Sequence, residues 1–276
     1  MSPAIVDAWI QHPAPGFLAD PMFASLLRWM GVDEPPDDLP LELTLGALDA
    51  AGIGTALTCA WHGPQGALIS NEFVAETVSA SGGRLVGVAS VDIRKPMEAV
   101  RALRRAVEDL GFVALRLLPW LWELPPDDRR YYPLYAACVD LDIPFCLQAG
   151  HAGPLRPSEP GRPIPYLDRV ACDFPELKIV AGHIGFPWTT EMISLARKYE
   201  NVFIDTSAYK PSRYPKELVD YMRKGGRTKV LFGSNYPMLP PALCLAEVGD
   251  LGLDDEVLAA FLGDNARRVF RLQPTN

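Results

Sequence analysis

Short apolar runs rich in Val, Ile, Leu and Phe alternate along the chain with longer segments whose apolar residues return about every three to four positions. The runs read as strands buried on both faces and the segments as helices covering them, which is the phrasing of repeated βα units around a parallel sheet. Predicted strands are Ala4 to Trp9, Thr55 to Ala60, Leu85 to Val91, Phe112 to Leu117, Pro144 to Gln148, Lys178 to His183, Val202 to Asp205 and Val230 to Gly233. Helices are predicted over Leu41 to Ala51, Asn71 to Ser81, Pro96 to Leu110, Tyr132 to Leu141, Tyr166 to Asp173, Thr189 to Lys198 and Pro215 to Lys224, with two more near Ala242 to Leu251 and Asp254 to Phe270. Pro96 suits a first helical turn and Gly111 a helix stop before the next strand.

Eight strands with interleaved helices in 276 residues fit a (β/α)8 barrel, with residues 1–276 as one domain. An open doubly wound sheet fits less well, because no GxGxxG follows the first strand. Three Pro-rich segments, Gln11 to Pro40, Leu118 to Tyr131 and Ala149 to Pro165, follow strands at the end where such a barrel carries its functional loops.

A hydrophobic content of 49% with 22% charged residues describes a globular chain. Lys and Arg number 26 against 34 acidic residues, a formal charge of -8, which argues against a nucleic-acid partner or an anionic membrane surface. The first residues show no basic stretch followed by an apolar one, and no apolar run of about 18 residues occurs, so the chain reads as cytoplasmic. The five cysteines are scattered without a CxxC pair and read as small buried hydrophobes, Cys59 and Cys146 being the two to test as reactive thiols. No Rossmann or P-loop fingerprint calls for a nucleotide cofactor, and none of any kind is expected.

All four histidines fall at or just beyond strand ends: His12, His62, His151 and His183. One such residue is readily a hydrogen-bonded structural histidine, but four at one rim point to chemistry there. Arg116 interrupts an apolar strand and needs an anion or carbonyl partner, either a substrate carboxylate or an internal ion pair with Glu123 or Asp205. Trp120 and Trp122, in the loop after that strand, either wall an apolar pocket or pin the loop to the rim. Glu159 and Arg162 belong to a stiff loop that is either a lid or simply solvated.

Three segments then become recognisable: Ala181-Gly182-His183-Ile184-Gly185-Phe186-Pro187-Trp188, Phe203-Ile204-Asp205-Thr206-Ser207 and Leu231-Phe232-Gly233-Ser234-Asn235-Tyr236-Pro237. With them the chain resembles the amidohydrolase-related family of the amidohydrolase superfamily, whose barrels include aminocarboxymuconate-semialdehyde decarboxylase-like lyases and a dicarboxylate lactonase. The resemblance runs from Ile5 to the helix ending at Phe270 and is strongest after Pro144. It implies a first strand ending in a His-x-His pair, a His ligand ending the fifth strand and an Asp in the eighth. Those positions hold Trp9, Gln11, Gln148 and Asn235, so no metal site is expected. Indole offers no usable lone pair, and carboxamides are weak neutral donors. Trp9 would fill the vacated volume, with the three amides forming a neutral hydrogen-bonding network. The sixth-strand His183 is retained, and the resemblance implies a catalytic or substrate-orienting role for it. His151 follows Gln148 closely enough that a shifted register would make it the fifth-strand ligand.

Three functions compete. The first is a metal-independent hydrolase of a small carboxylated lactone or related acyl compound, with His183, His151 or His12 as acid or base. In it Arg116 clamps the carboxylate, and Trp9, Gln11, Gln148, Trp120, Trp122, Asp205, Asn235 and Tyr236 complete the substrate site. The second is a decarboxylase or other carbon–carbon lyase of the same family. The third is a barrel that binds a small ligand without turnover. Apolar helices outside such a barrel often pair, which points to a homodimer.

Overall fold

The computed structural model describes residues 5–273. Eight strands line the interior: β1 (Ile5–Ile10), β2 (Ile53–Cys59), β3 (Leu85–Val88), β4 (Leu115–Leu117), β5 (Phe145–Gln148), β6 (Ile179–Gly182), β7 (Val202–Asp205) and β8 (Val230–Leu231). They correspond to the eight apolar runs, and the predicted first residue of the first run, Ala4, lies outside the described residues. All neighbours pair in parallel, β1 to β3 as one sheet and β4 to β8 as another. Bridges at both seams close the two sheets into a (β/α)8 barrel. Arg116 N–H donates to Ala89 O at 2.8 Å on one side, and Asn235 N–H to Trp9 O at 2.8 Å on the other.

Local rules account for the helices between strands. The helix Asn71–Ala80 is capped by Ser70, whose Oγ accepts the Phe73 N–H at 3.0 Å. The helix Pro96–Glu108 begins on its proline, buries Ala99, Leu103 and Ala106 on one face, and stops before Gly111 at φ 73°. Residues 254–270, predicted as one helix, are two short helices, Asp255–Ala259 and Asn265–Phe270, joined through the π-helical turn Ala260–Asp264. Short elements within the long segments went unpredicted, among them the helical turn Pro119–Trp122. A hairpin of Trp61–Gly63 and Gly66–Ile69 follows β2, and the helix Ala24–Met30 stands in the long segment after β1. Among the described residues no helix is long and apolar enough to cross a membrane.

The barrel axis is plugged by one side chain. Trp9, at the end of β1, lies 1% exposed, with the Arg116 guanidinium carbon 3.6 Å from its ring centroid. Across the barrel it meets Gly182 so closely that a Cβ there would sit 2.6 Å from the indole. Glycine at the end of β6 is therefore the condition for a tryptophan at the end of β1. We expect Gly182→Ala to lower stability by about 1–3 kcal/mol in urea denaturation, as overpacking of a rigid core does. Part of that loss should return in the Trp9→Phe, Gly182→Ala double variant, and strict additivity of the two changes would show that they do not meet.

Candidate active site

Above Trp9, at the C-terminal ends of the strands, lies a cavity of about 440 Å³. That is within the size of small-molecule sites. Its floor is formed by Trp9, Gln11, Gln148, His183 and Asn235, and its walls by aromatic and aliphatic side chains including Phe17, Phe23, Trp61 and Trp120. The segment after β1 folds over it as a lid, contributing Leu26, Leu27, Trp29 and Met30 from the helix Ala24–Met30. No Lys, Arg, Asp or Glu lines it among the described residues.

The floor is held in uncommon backbone conformations. His183 (φ 65°), Ala208 (φ 68°) and Asn235 (φ 68°) are left-handed where β6, β7 and β8 end, and Ile184 follows at φ 52°. Non-glycine residues adopt this region at a cost, and such strain concentrates where side chains are aimed at a ligand. The His183 ring is held from below. Its Nδ1 lies 2.8 Å from Ser207 Oγ, which also accepts the His183 backbone N–H at 3.3 Å. Ser207 is in turn fixed through its own N–H, donated to Asp205 Oδ1 at 2.7 Å. Nε2 is left without a protein partner among the described residues, on a ring that lines the cavity. Burial, then the charge of Arg116 and then the neighbouring His151 push the His183 imidazole down to about 3, so the ring is neutral at pH 7.

Two buried carboxyls lie among these residues. Burial raises Asp7 to about 7, against hydrogen bonds from the Ser234 hydroxyl and the Ser234 and Trp9 backbones, with repulsion from Asp205 adding to the rise. Asp205 is raised by burial to about 6, opposed by the Ser207 N–H, Arg116 and the Ser207 hydroxyl.

Of the network expected from the three amides only the Gln11–Asn235 link forms, and Gln148 is tied to other partners. Gln11 Nε2 donates to Asn235 Oδ1 at 3.2 Å. Gln148 Oε1 accepts the Trp120 indole N–H at 2.8 Å, and its Nε2 donates to the His151 carbonyl at 2.7 Å. They do not fit a divalent metal. The Gln148 and Asn235 amide oxygens already accept hydrogen bonds, the Gln11 oxygen is a single weak neutral ligand, the indole of Trp9 is none, and no group of three or more His, Cys, Asp or Glu converges on a point among the described residues. What remains open is hydrogen-bond capacity: Trp9 Nε1 and Gln11 Oε1 have no partner among the described residues.

Of the twelve residues assigned from sequence to the catalytic and substrate site, the cavity gathers His183, His151, Trp9, Gln11, Gln148, Trp120 and Asn235. Five do not line it. Arg116 is 1% exposed beneath Trp9, donates from Nη2 to Ala8 O at 3.0 Å and makes no ion pair among the described residues. It therefore does not line the cavity, and the expected ion pair with Glu123 or Asp205 is not formed among the described residues. Glu123 pairs instead with Arg156 at 3.0 Å. His12 turns outward, its Nδ1 2.9 Å from Thr44 Oγ1 and its ring stacked on Phe73, and burial lowers its basicity. Trp122 stacks on His62, Asp205 is fully buried behind Ser207, and Tyr236, whose backbone bridges to Ile10 of β1, does not line the cavity. Sequence reasoning missed the lid residues, whose signal was present in the apolar spacing of Leu26, Leu27, Trp29 and Met30.

The arrangement can be compared with known proteins. The amidohydrolase family model matches residues 26–272. A gamma-resorcylate decarboxylase from Polaromonas sp. (strain JS666) is 26% identical over 215 residues, a match spanning 68% of this chain and just under two thirds, 64%, of that protein. An uncharacterized TIM-barrel protein from Bordetella bronchiseptica is 27% identical with a TM-score of 0.84, covering 97% of this chain and 98% of that one. A dihydroxybenzoic acid decarboxylase from Polaromonas sp. JS666, solved with bound manganese and the inhibitor 2-nitroresorcinol, shares the fold at 18% identity and a TM-score of 0.74, covering 98% of this chain and 97% of that one. By its barrel, its strand-end motifs and a family match over most of its length, the chain belongs to the amidohydrolase family.

Proposed function

We propose that the chain is an enzyme that hydrolyses a small, ring-bearing ester or lactone without a divalent metal. The observation that carries this reading is the neutral His183 ring, anchored through Nδ1 and open at Nε2, in a cavity whose other polar side chains among the described residues are three amides, tryptophan indoles, Tyr209 and His151. With a pKa near 3, His183 is a weak base but a firmly oriented hydrogen-bond donor once Ser207 donates to Nδ1. Its Nε2–H and the free hydrogens of the floor amides would then face the oxyanion that develops when water adds to the carbonyl.

His151, at the cavity mouth, takes the proton from the attacking water and returns it to the departing alkoxide or phenoxide oxygen. The products are a carboxylic acid and an alcohol, or a hydroxy acid from a lactone. The carboxylated substrate expected from Arg116 loses its anchor, because that guanidinium lies under Trp9. An uncharged reacting group suits a cavity without ions, where a desolvated carboxylate would be costly.

Decarboxylation is the second reading, favoured by the relatives called gamma-resorcylate decarboxylases. An apolar cavity would also drive out the charge of a bound carboxylate.

Chelator-treated protein should open aromatic lactones and cleave phenyl esters at a rate that added manganese leaves unchanged. Turnover that appears only with manganese would overturn the metal-free reading. Carbon dioxide release from 2,6-dihydroxybenzoate would favour the lyase, and binding without any turnover a ligand-binding barrel. His183→Asn should lower kcat on the order of 10²-fold, the scale of a lost oxyanion donor, with the circular dichroism spectrum unchanged.

The pH dependence gives a separate check. Because His183 is neutral from about pH 3 upward, it should contribute no acid limb between pH 5 and 8. The residual hydrolysis of an activated phenyl ester by His151→Gln should therefore be flat across that range. An acid limb persisting in that variant would mean that His183 itself takes up a proton during turnover.

A further inference from the structure

The cations near the cavity stand outside it. At its mouth the lid helix and residues 151–158 border an open groove, lined by Ser25, Arg28, Trp29, His151, Leu155 and Arg156. Trp29, His151, Gly153 and Pro154 belong to both spaces, so the groove continues the cavity outward. Its two walls are fastened together. Ser25 Oγ donates to the Gly153 carbonyl at 2.5 Å, and the Leu155 N–H donates to the Met22 carbonyl at 2.9 Å. Leu26 lies so near Gly153 that a Cβ there would be 2.6 Å from its methyl. Trp29, 56% exposed, stacks on the His151 ring with 6.1 Å between centroids, marking the passage from one space to the other.

The polarity changes at that passage. Among the described residues no Lys, Arg, Asp or Glu lines the inner cavity, whereas the groove is lined by two guanidiniums and no carboxylate. Arg156 is shared with Glu123, but Arg28 makes no ion pair among the described residues. The acidic residues of the same lid segment, Asp33, Glu34, Asp37 and Asp38, line neither space. In a chain of net charge -8, an unpaired cation beside the entrance to an apolar cavity is placed to meet an anion.

We propose that this groove is an oxyanion subsite and that the substrate is bipolar, with an uncharged ring-bearing end in the cavity and a carboxylate or phosphate on a flexible tail held by Arg28 with Arg156. The proposal rests on the reading above that the reacting end is uncharged. A guanidinium binds such a group through charge-assisted hydrogen bonds, at a strength reduced by exposure to water and salt.

The test is calorimetric binding of phenylalkanoates and phenylalkyl phosphates of increasing chain length, each against the matching primary amide or alcohol. Once the tail reaches the groove, the anionic ligands should bind about tenfold tighter than their neutral partners. That advantage should shrink in high salt and disappear in Arg28→Gln, Arg156→Gln, with neutral-ligand affinity unchanged. A preference for one anion class would identify the tail as carboxylate or phosphate. Equal affinity of anionic and neutral ligands at every length, or an advantage that survives the double substitution, would overturn the subsite while leaving the uncharged-cavity reading intact. Failure of every neutral ligand to bind would overturn that reading, and the subsite with it.

Discussion

The stack of the Arg116 guanidinium on the Trp9 indole is the contact on which the rest of the interior depends. Each partner would be a liability alone. A fully buried guanidinium without an ion pair needs an electron-rich surface, and the indole face supplies one in a site where water does not compete. A tryptophan at the barrel axis needs space, which Gly182 leaves and the absence of liganding side chains permits. Together they fill the place where the strands converge with a solid floor.

That floor sets the electrostatics above it. Arg116 disfavours a second cation nearby, which is one cause of the neutral state of His183, and it also offsets part of the burial that raises Asp205. Asp205 in turn holds Ser207, and Ser207 holds the imidazole. The same crowding explains Gly233, where a Cβ would fall 2.4 Å from Asp205 Oδ1. The charged groups are thus kept below the floor, and the cavity receives only their orienting effect on one neutral ring.

The barrel was legible because strands buried on both faces must be continuous apolar runs, and the helices between them carry caps and periodic faces. The histidine of β6 and the amides at the ends of β5 and β8 were legible because their neighbours form recognisable strand-end motifs. Orientation was not. By sequence Arg116 lies within a strand and His12 just beyond one, and nothing there tells that one points to the axis under Trp9 and the other away toward Thr44. Which way a rim residue faces depends on strand tilt and cross-barrel neighbours, and a residue list holds neither. The hairpin after β2 was missed because strands of three and four residues are too short for alternation to show.

The separation of charge from chemistry also bears on turnover. The hydrolysis proposed above would create a carboxylate in the cavity where none was present, against a lining of aromatic rings, amides and the neutral His183 ring that offers it no fixed charge. Such a product is less well accommodated than the uncharged group that entered, so the free energy of its solvation favours departure. The way out leads past the exposed His151 and Trp29 to the guanidiniums of the groove. An interior that binds only neutral groups and a mouth that attracts anions would thereby give the reaction a direction, without any part of the lid having to recognise that chemistry has taken place.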